Sequence, residues 1–198
     1  MNLFKRIILA SGIVMTFILA GCFGGATETD TVGLILPEEN YKFYKNTDLQ
    51  VQYPMNWKVM TKTEINSEYK ENFEVAFVSN FKDPFFTPTI TFEKTLLKSA
   101  ITSEQFAESI INQNKVSLVN YAEVERQTVS TLVSGEPVLT TLIKFTGKEK
   151  IQDDLIEYIQ IFLTKGEVGF IGTAAFDPTD ENSEFEKMVN TLRSTKLL

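Results

Sequence analysis

The chain has no histidine, a single cysteine and fewer basic than acidic residues, 19 against 26, for a net charge of −7 over 198 residues. Without histidine, His-dependent nucleophilic triads and the usual zinc sites are excluded. One cysteine, Cys22, rules out an intramolecular disulfide. The acidic surplus argues against a nucleic-acid partner, because phosphate binding depends on clustered lysine and arginine. Internal repeats and low-complexity tracts are also missing. Any catalysis would have to rest on carboxylates, lysine or serine, and no residue pattern calls for a cofactor.

Long apolar runs are equally scarce, with one exception at the start. Lys5 and Arg6 precede an apolar stretch from Ile7 to Ala20, followed by Gly21-Cys22. This is the order of an export signal: basic n-region, apolar h-region, small-residue cleavage site. At about 14 residues the run falls short of the about 20 needed to span a bilayer, so processing is expected rather than retention. Leu19-Ala20-Gly21-Cys22 resembles the lipobox of bacterial lipoproteins. That resemblance implies a signal peptide over residues 1–21, diacylglyceryl transfer to Cys22, and a mature protein that begins there. The membrane lipid would then be a partner through acylated Cys22, with the domain on the outer, non-cytoplasmic face of the cell envelope. Removing Lys5 and Arg6 leaves the mature chain at −9. An anionic surface would repel such a domain, so the tether must hold it.

Residues 22–36 are Gly, Thr and acids with few large apolar groups, which suits a flexible linker. Residues 37–198, about 160, suit one domain with one core. Alternation marks strands at Leu49–Tyr53 and Phe73–Phe77, with shorter ones at Asn56–Met60 and Thr89–Glu93. A strand at Val124–Val133 leads through Ser134-Gly135 into runs at Val138–Thr146, Leu155–Lys165 and Glu167–Phe176. Turns at Gly147-Lys148 and Lys165-Gly166 make these an antiparallel meander. Thr102-Ser-Glu-Gln105 is a capping box that should open a helix to about Lys115. Phe185, Met188, Val189 and Leu192 fall on one face of a closing helix, Ser183 to Leu192, which should bury Phe185 and Val189 against the sheet. The expectation is an α+β domain, an antiparallel sheet flanked by helices.

This order, together with Tyr53-Pro54-x-x-Trp57 and a closing helix followed by Ser194-Thr195-Lys196-Leu197, resembles the PsbP-like superfamily. The resemblance spans about Tyr41 to Leu198 and implies an α/β/α sandwich. Members include the photosystem II extrinsic protein, the nuclear import factor that binds the GTPase Ran, and many bacterial lipoproteins. Their record favours a non-catalytic protein-binding or assembly role, although a fold by itself assigns no site. The alternative is a hydrolase or small-ligand carrier built on carboxylates.

Few side chains offer chemistry beyond this. Asp177, Asp180, Glu181 and Asn182 lack the spacing and central glycine of a calcium loop, and acids at a helix start answer the dipole equally well. Asp153 and Asp154, placed at the opening of a strand, would point to opposite faces, so with Glu157 they form no convergent pair. Trp57 is expected to be a buried ring with its N–H satisfied rather than a stacking platform. Phe85 and Phe86, between Pro84 and Pro88, are the candidate partner-binding residues; inward packing is the commoner fate of such rings. Replacing both with Ser should therefore cost several kcal/mol of stability. Loss of partner capture at unchanged stability, seen by pairing a urea melt with a pull-down, would instead make them a docking surface.

Overall fold

The computed structural model describes residues 34–64, 72–80, 86–178 and 183–198. The N-terminal strands are β1 (Tyr41–Lys45), β2 (Leu49–Pro54), β3 (Lys58–Thr61), β4 (Phe73–Val78) and β5 (Thr89–Leu96). After α1 (Ser103–Ser117) come β6 (Val119–Val133), β7 (Glu136–Lys148), β8 (Ile156–Lys165) and β9 (Val168–Phe176). The chain closes with α2 (Ser183–Arg193) and β10 (Lys196–Leu197).

All ten strands join one sheet in the order β1-β2-β10-β6-β7-β8-β9-β5-β4-β3. The placement of β2 and β3 dictates its shape. They are separated by eight strand spacings, about 38 Å in a flat sheet at about 4.8 Å each. Yet Pro54 and Lys58 are consecutive strand ends joined by only three residues, a link that reaches no more than about 14 Å. The sheet must curl until its two ends meet. At the meeting line Phe77 of β4 stacks on Tyr53 of β2 at 4.7 Å and takes Tyr44 of β1 edge-on at 5.7 Å. Lys94 and Asp48 pair across the same gap at 2.6 Å, and the carboxylate holds the lysine pKa above its ordinary value. Both groups are about one-third exposed, so this pair contributes little and the aromatic contact carries the closure.

The expected sandwich of helical layers on an antiparallel sheet is overturned. Among the described residues strand makes up 53% and there are only two helices, and the sheet is a curled, mixed half-barrel. The mixing comes from β10, which runs parallel to β6 and antiparallel to β2. A sheet that curls this far buries its concave face largely against itself: Leu49, Val51, Val75, Phe77, Ile90, Ile159, Ile161 and Phe170 belong to one core. It needs no helical layer there. One helix, α2, fills what remains, sending Met188 and Leu192 into that core. The other, α1, covers only a convex strip, where Phe106, Ala107 and Ile111 meet Ile143, Phe145 and Phe162.

Two glycines of β9 set how closely the helices approach. A Cβ on Gly172 would lie 2.7 Å from Phe92 and 2.9 Å from Leu192 of α2, while one on Gly169, on the opposite face, would lie 2.5 Å from Phe106 of α1. Thr102 caps α1 as the sequence indicates, accepting from Gln105 N–H at 3.2 Å while the Gln105 side chain accepts from Thr102 N–H at 3.1 Å. The β6–β7 hairpin turns on Ser134 (φ 53°) and Gly135 (φ 86°), two positive angles that match the twist of the flanking strands. Gly147, by contrast, is no turn; β7 runs on to Lys148 because Gly147 admits Leu118 against the strand. Leu36, at the end of the expected linker, is buried and held at both backbone groups by the Gln52 amide, at 2.8 and 3.0 Å.

Phe77→Ala should cost about 3–5 kcal/mol through the cavity it opens at the closure. Phe43→Ala, on the half-exposed outer side of β1, should cost under about 0.5 kcal/mol. Urea unfolding followed by the fluorescence of Trp57, the only tryptophan, measures both.

Candidate functional site

A recess lies on the concave side, between α2 and strands β6, β7 and β8. At its first turn, Glu184 Oε2 accepts from Trp57 Nε1 at 3.0 Å and from Ser79 Oγ at 3.3 Å, and Oε1 accepts from Lys187 Nζ at 2.6 Å. Beyond its last turn, Ser194 Oγ accepts from Gln52 N–H at 2.9 Å and donates to Thr191 O at 2.8 Å. Between these anchors Met188, Thr191 and Leu192 are fully buried. The helix is thus fixed at both ends and along one side.

Phe185, Val189 and Arg193 form the neighbouring stripe at i, i+4 and i+8, and they are only half-buried. Phe185 and Val189 pack against the core as expected but are only partly buried; Met188 and Leu192 are the fully buried pair, on the side where Gly172 lets α2 approach closely. The half-buried stripe instead forms one wall of a cleft of about 150 Å³, opposite Glu125 and Gln127 of β6, Leu142 and Lys144 of β7, and Ile159 of β8. Its floor is apolar and its rim carries both signs of charge.

Lys144 gives this cleft its electrostatic character. Its ammonium pairs with Glu157 of β8 and sits 4.6 Å above the Phe185 ring. The register sets Lys144 against Ile159 and Thr146 against Glu157, so the two charges are diagonal neighbours on one face. Glu157 is only 8% exposed, which makes it dependent on that partner. Phe185 in turn packs on Phe176 with centroids 5.8 Å apart.

The residues singled out in the sequence are not assembled here. Asp153 and Asp154 precede β8 rather than opening it; Asp153 Oδ2 accepts from Lys150 N–H at 2.9 Å within the connecting turn. Glu157 is turned to the concave face, so the three acids serve no common site. Trp57 is buried, with its N–H on Glu184. Phe86 is half-buried in a separate recess with Gln152, Asp153, Asp154, Ile156 and Asp177. Cys22, Phe85, Asp180, Glu181 and Asn182 lie outside the described residues. Among the described residues no group of three or more metal-ligating side chains converges, and no helix is long and apolar enough to cross a membrane. The Lys144–Glu157 pair was missed. Its signal is a lysine at a core-facing position of the run Leu142-Ile143-Lys144-Phe145, answered by an acid of matching parity in the next strand.

No family model and no curated protein matches the chain. Among solved structures, PsbP of the cyanobacterium Synechocystis sp. PCC 6803 aligns over 82% of this chain and 95% of its own, with a TM-score of 0.55 and 7% identity. A Pseudomonas aeruginosa protein of unknown function aligns over 77% and 96%, with a TM-score of 0.42 and 13% identity. The first of these supports a PsbP-like fold for this chain.

Lys144→Met should destabilise the domain by about 3 kcal/mol, since it leaves Glu157 buried without its counter-charge. Adding Glu157→Gln should restore at least about 1 kcal/mol of that loss. Strict additivity of the two changes in a denaturation cycle would show that the pair is not coupled.

Proposed function

We propose that this protein is an exported lipoprotein, acylated at Cys22, whose PsbP-like domain is a non-catalytic module that binds a protein partner at the outer face of a membrane. The observation that carries the anchoring is the unbroken series of basic start, apolar run and Leu19-Ala20-Gly21-Cys22. Binding rather than catalysis is supported by the make-up of the cleft. It joins an apolar floor to a rim of Glu125, Lys144 and Arg193, and the buried acid behind that rim, Glu157, is already paired with Lys144. Such a surface suits amphipathic contact. A carboxylate hydrolase would need converging acids, and Asp153, Asp154 and Glu157 do not converge.

Cys22→Ser should leave the domain folded while abolishing lipid attachment and normal signal cleavage. Metabolic labelling with a clickable fatty acid tests this, and equal label on both proteins would end the lipoprotein reading. For the partner, a photo-crosslinking residue at Gln127 should capture a discrete protein in cells. The same residue at Leu96, 82% exposed and remote in sequence from the cleft, should not.

A further inference from the structure

The cleft adjoins a second unusual feature, an open strand edge. β6 runs for fifteen residues, and on the side away from β7 its only described partner is β10, which pairs with Leu132 and Val133 alone. Register shifts interrupt the first part of β6, between Val119 and Ala122 and between Glu123 and Glu125. Such bulges discourage edge-to-edge pairing. From Glu125 onward the ladder with β7 is unbroken, so the opposite edge of Glu125–Ser130 is regular and presents backbone donors and acceptors in strand geometry. Glu125, Arg126, Gln127 and Thr128 are exposed. Glu125 and Gln127 are also the β6 wall of the cleft.

We infer that this edge and the cleft act together to receive an extended segment of the partner protein as an added strand beside β6. The inference rests on the protein-binding reading above and specifies the kind of segment bound. The chain supplies its own precedent. β10 adds to β6 as a two-residue strand and buries Leu197, while Thr131 Oγ1 donates to Thr195 O at the same junction. A partner segment would continue that line where β10 leaves it. Main-chain bonds to Glu125–Ser130 would supply affinity, and alternate side chains would enter the cleft and supply specificity. At about 150 Å³ the cleft has room for one aliphatic or aromatic side chain, since an apolar cavity of about that size accepts a benzene ring. The segment expected is extended, proline-free at its pairing positions, and carries one large apolar residue between polar neighbours.

The test uses the full-length chain purified in detergent and a phage-displayed panel of random seven-residue peptides as the probe. Enriched peptides should alternate apolar and polar residues, and their binding should slow amide exchange across Glu125–Ser130. Phe185→Ala should weaken them about ten-fold or more, as loss of a central contact does. Gln127→Trp, at an exposed position that tolerates bulk, should block them by filling the cleft mouth while the urea midpoint stays unchanged. No enrichment, protection elsewhere, unaltered affinity in the Trp variant, or self-association that covers the β6 edge would each overturn the inference. A partner captured in cells at sites other than Gln127 would leave the protein-binding reading standing and remove only the edge. No partner at any position would remove both.

Discussion

Three residues, Met55 to Trp57, govern this architecture. They tie the second strand of the sheet order to the last one, and a chain so short cannot bridge a flat ten-stranded sheet. Curling is therefore required by connectivity before any side chain is considered. The side chains then make the curled form favourable. Tyr44 and Tyr53 from one end meet Phe77 from the other, and Trp57, inside the link, reaches Glu184 to fasten α2 beneath the junction. A mistake in the link would misplace both the sheet ends and the helix.

The same constraint explains why the molecule has a cleft. A closed barrel has no free edge, and a flat sheet has no interior for a helix to occupy. A half-barrel has both. α2 enters the concavity, and the chain emerging from it has only two residues, Lys196 and Leu197, with which to fill the place between β2 and β6. That is too short to cover a fifteen-residue neighbour. The exposed edge of β6 and the half-buried stripe Phe185, Val189, Arg193 follow from that single mismatch in length.

Most elements could be recognised from the sequence because their patterning is regular. The α1 capping box, the apolar face of α2 and the alternation in β5 and β9 report directly on which face meets the core. What escaped was long-range. β1 is five residues with two lysines, β10 is two residues, and the first half of β6 is charged and exposed; none has a period to detect. The curl was invisible for a different reason: periodicity tells a strand which face is inward, not whether that face will meet a helix or the far end of its own sheet. Hence the expected helical layers, where the molecule uses one helix on each side of a self-packed sheet. The candidate site was obscured for the same reason, since Glu125, Lys144 and Phe185 become neighbours only after the sheet has curled around α2.

Lys144 and Glu157 present the remaining problem, an ion pair close to the core that leucine and methionine could have filled. Replacing a buried pair by well-packed apolar residues is often neutral or stabilising, so stability alone does not account for it. Its position is more informative. The lysine lies at the boundary between the sealed core, where Met188 and Leu192 are fully buried, and the open cleft lined by Phe185 and Val189. An apolar side chain at 144 would extend the cleft floor into a larger greasy surface beside a strand edge that no described strand covers, the combination that invites indiscriminate association. An ammonium held by Glu157 and stacked over Phe185 keeps that surface divided: the aliphatic stem of the lysine still covers the ring, while its charge raises the cost of any occupant that buries it without compensation. The pair is thus better understood as a restriction on what may enter the cleft than as a brace for the fold.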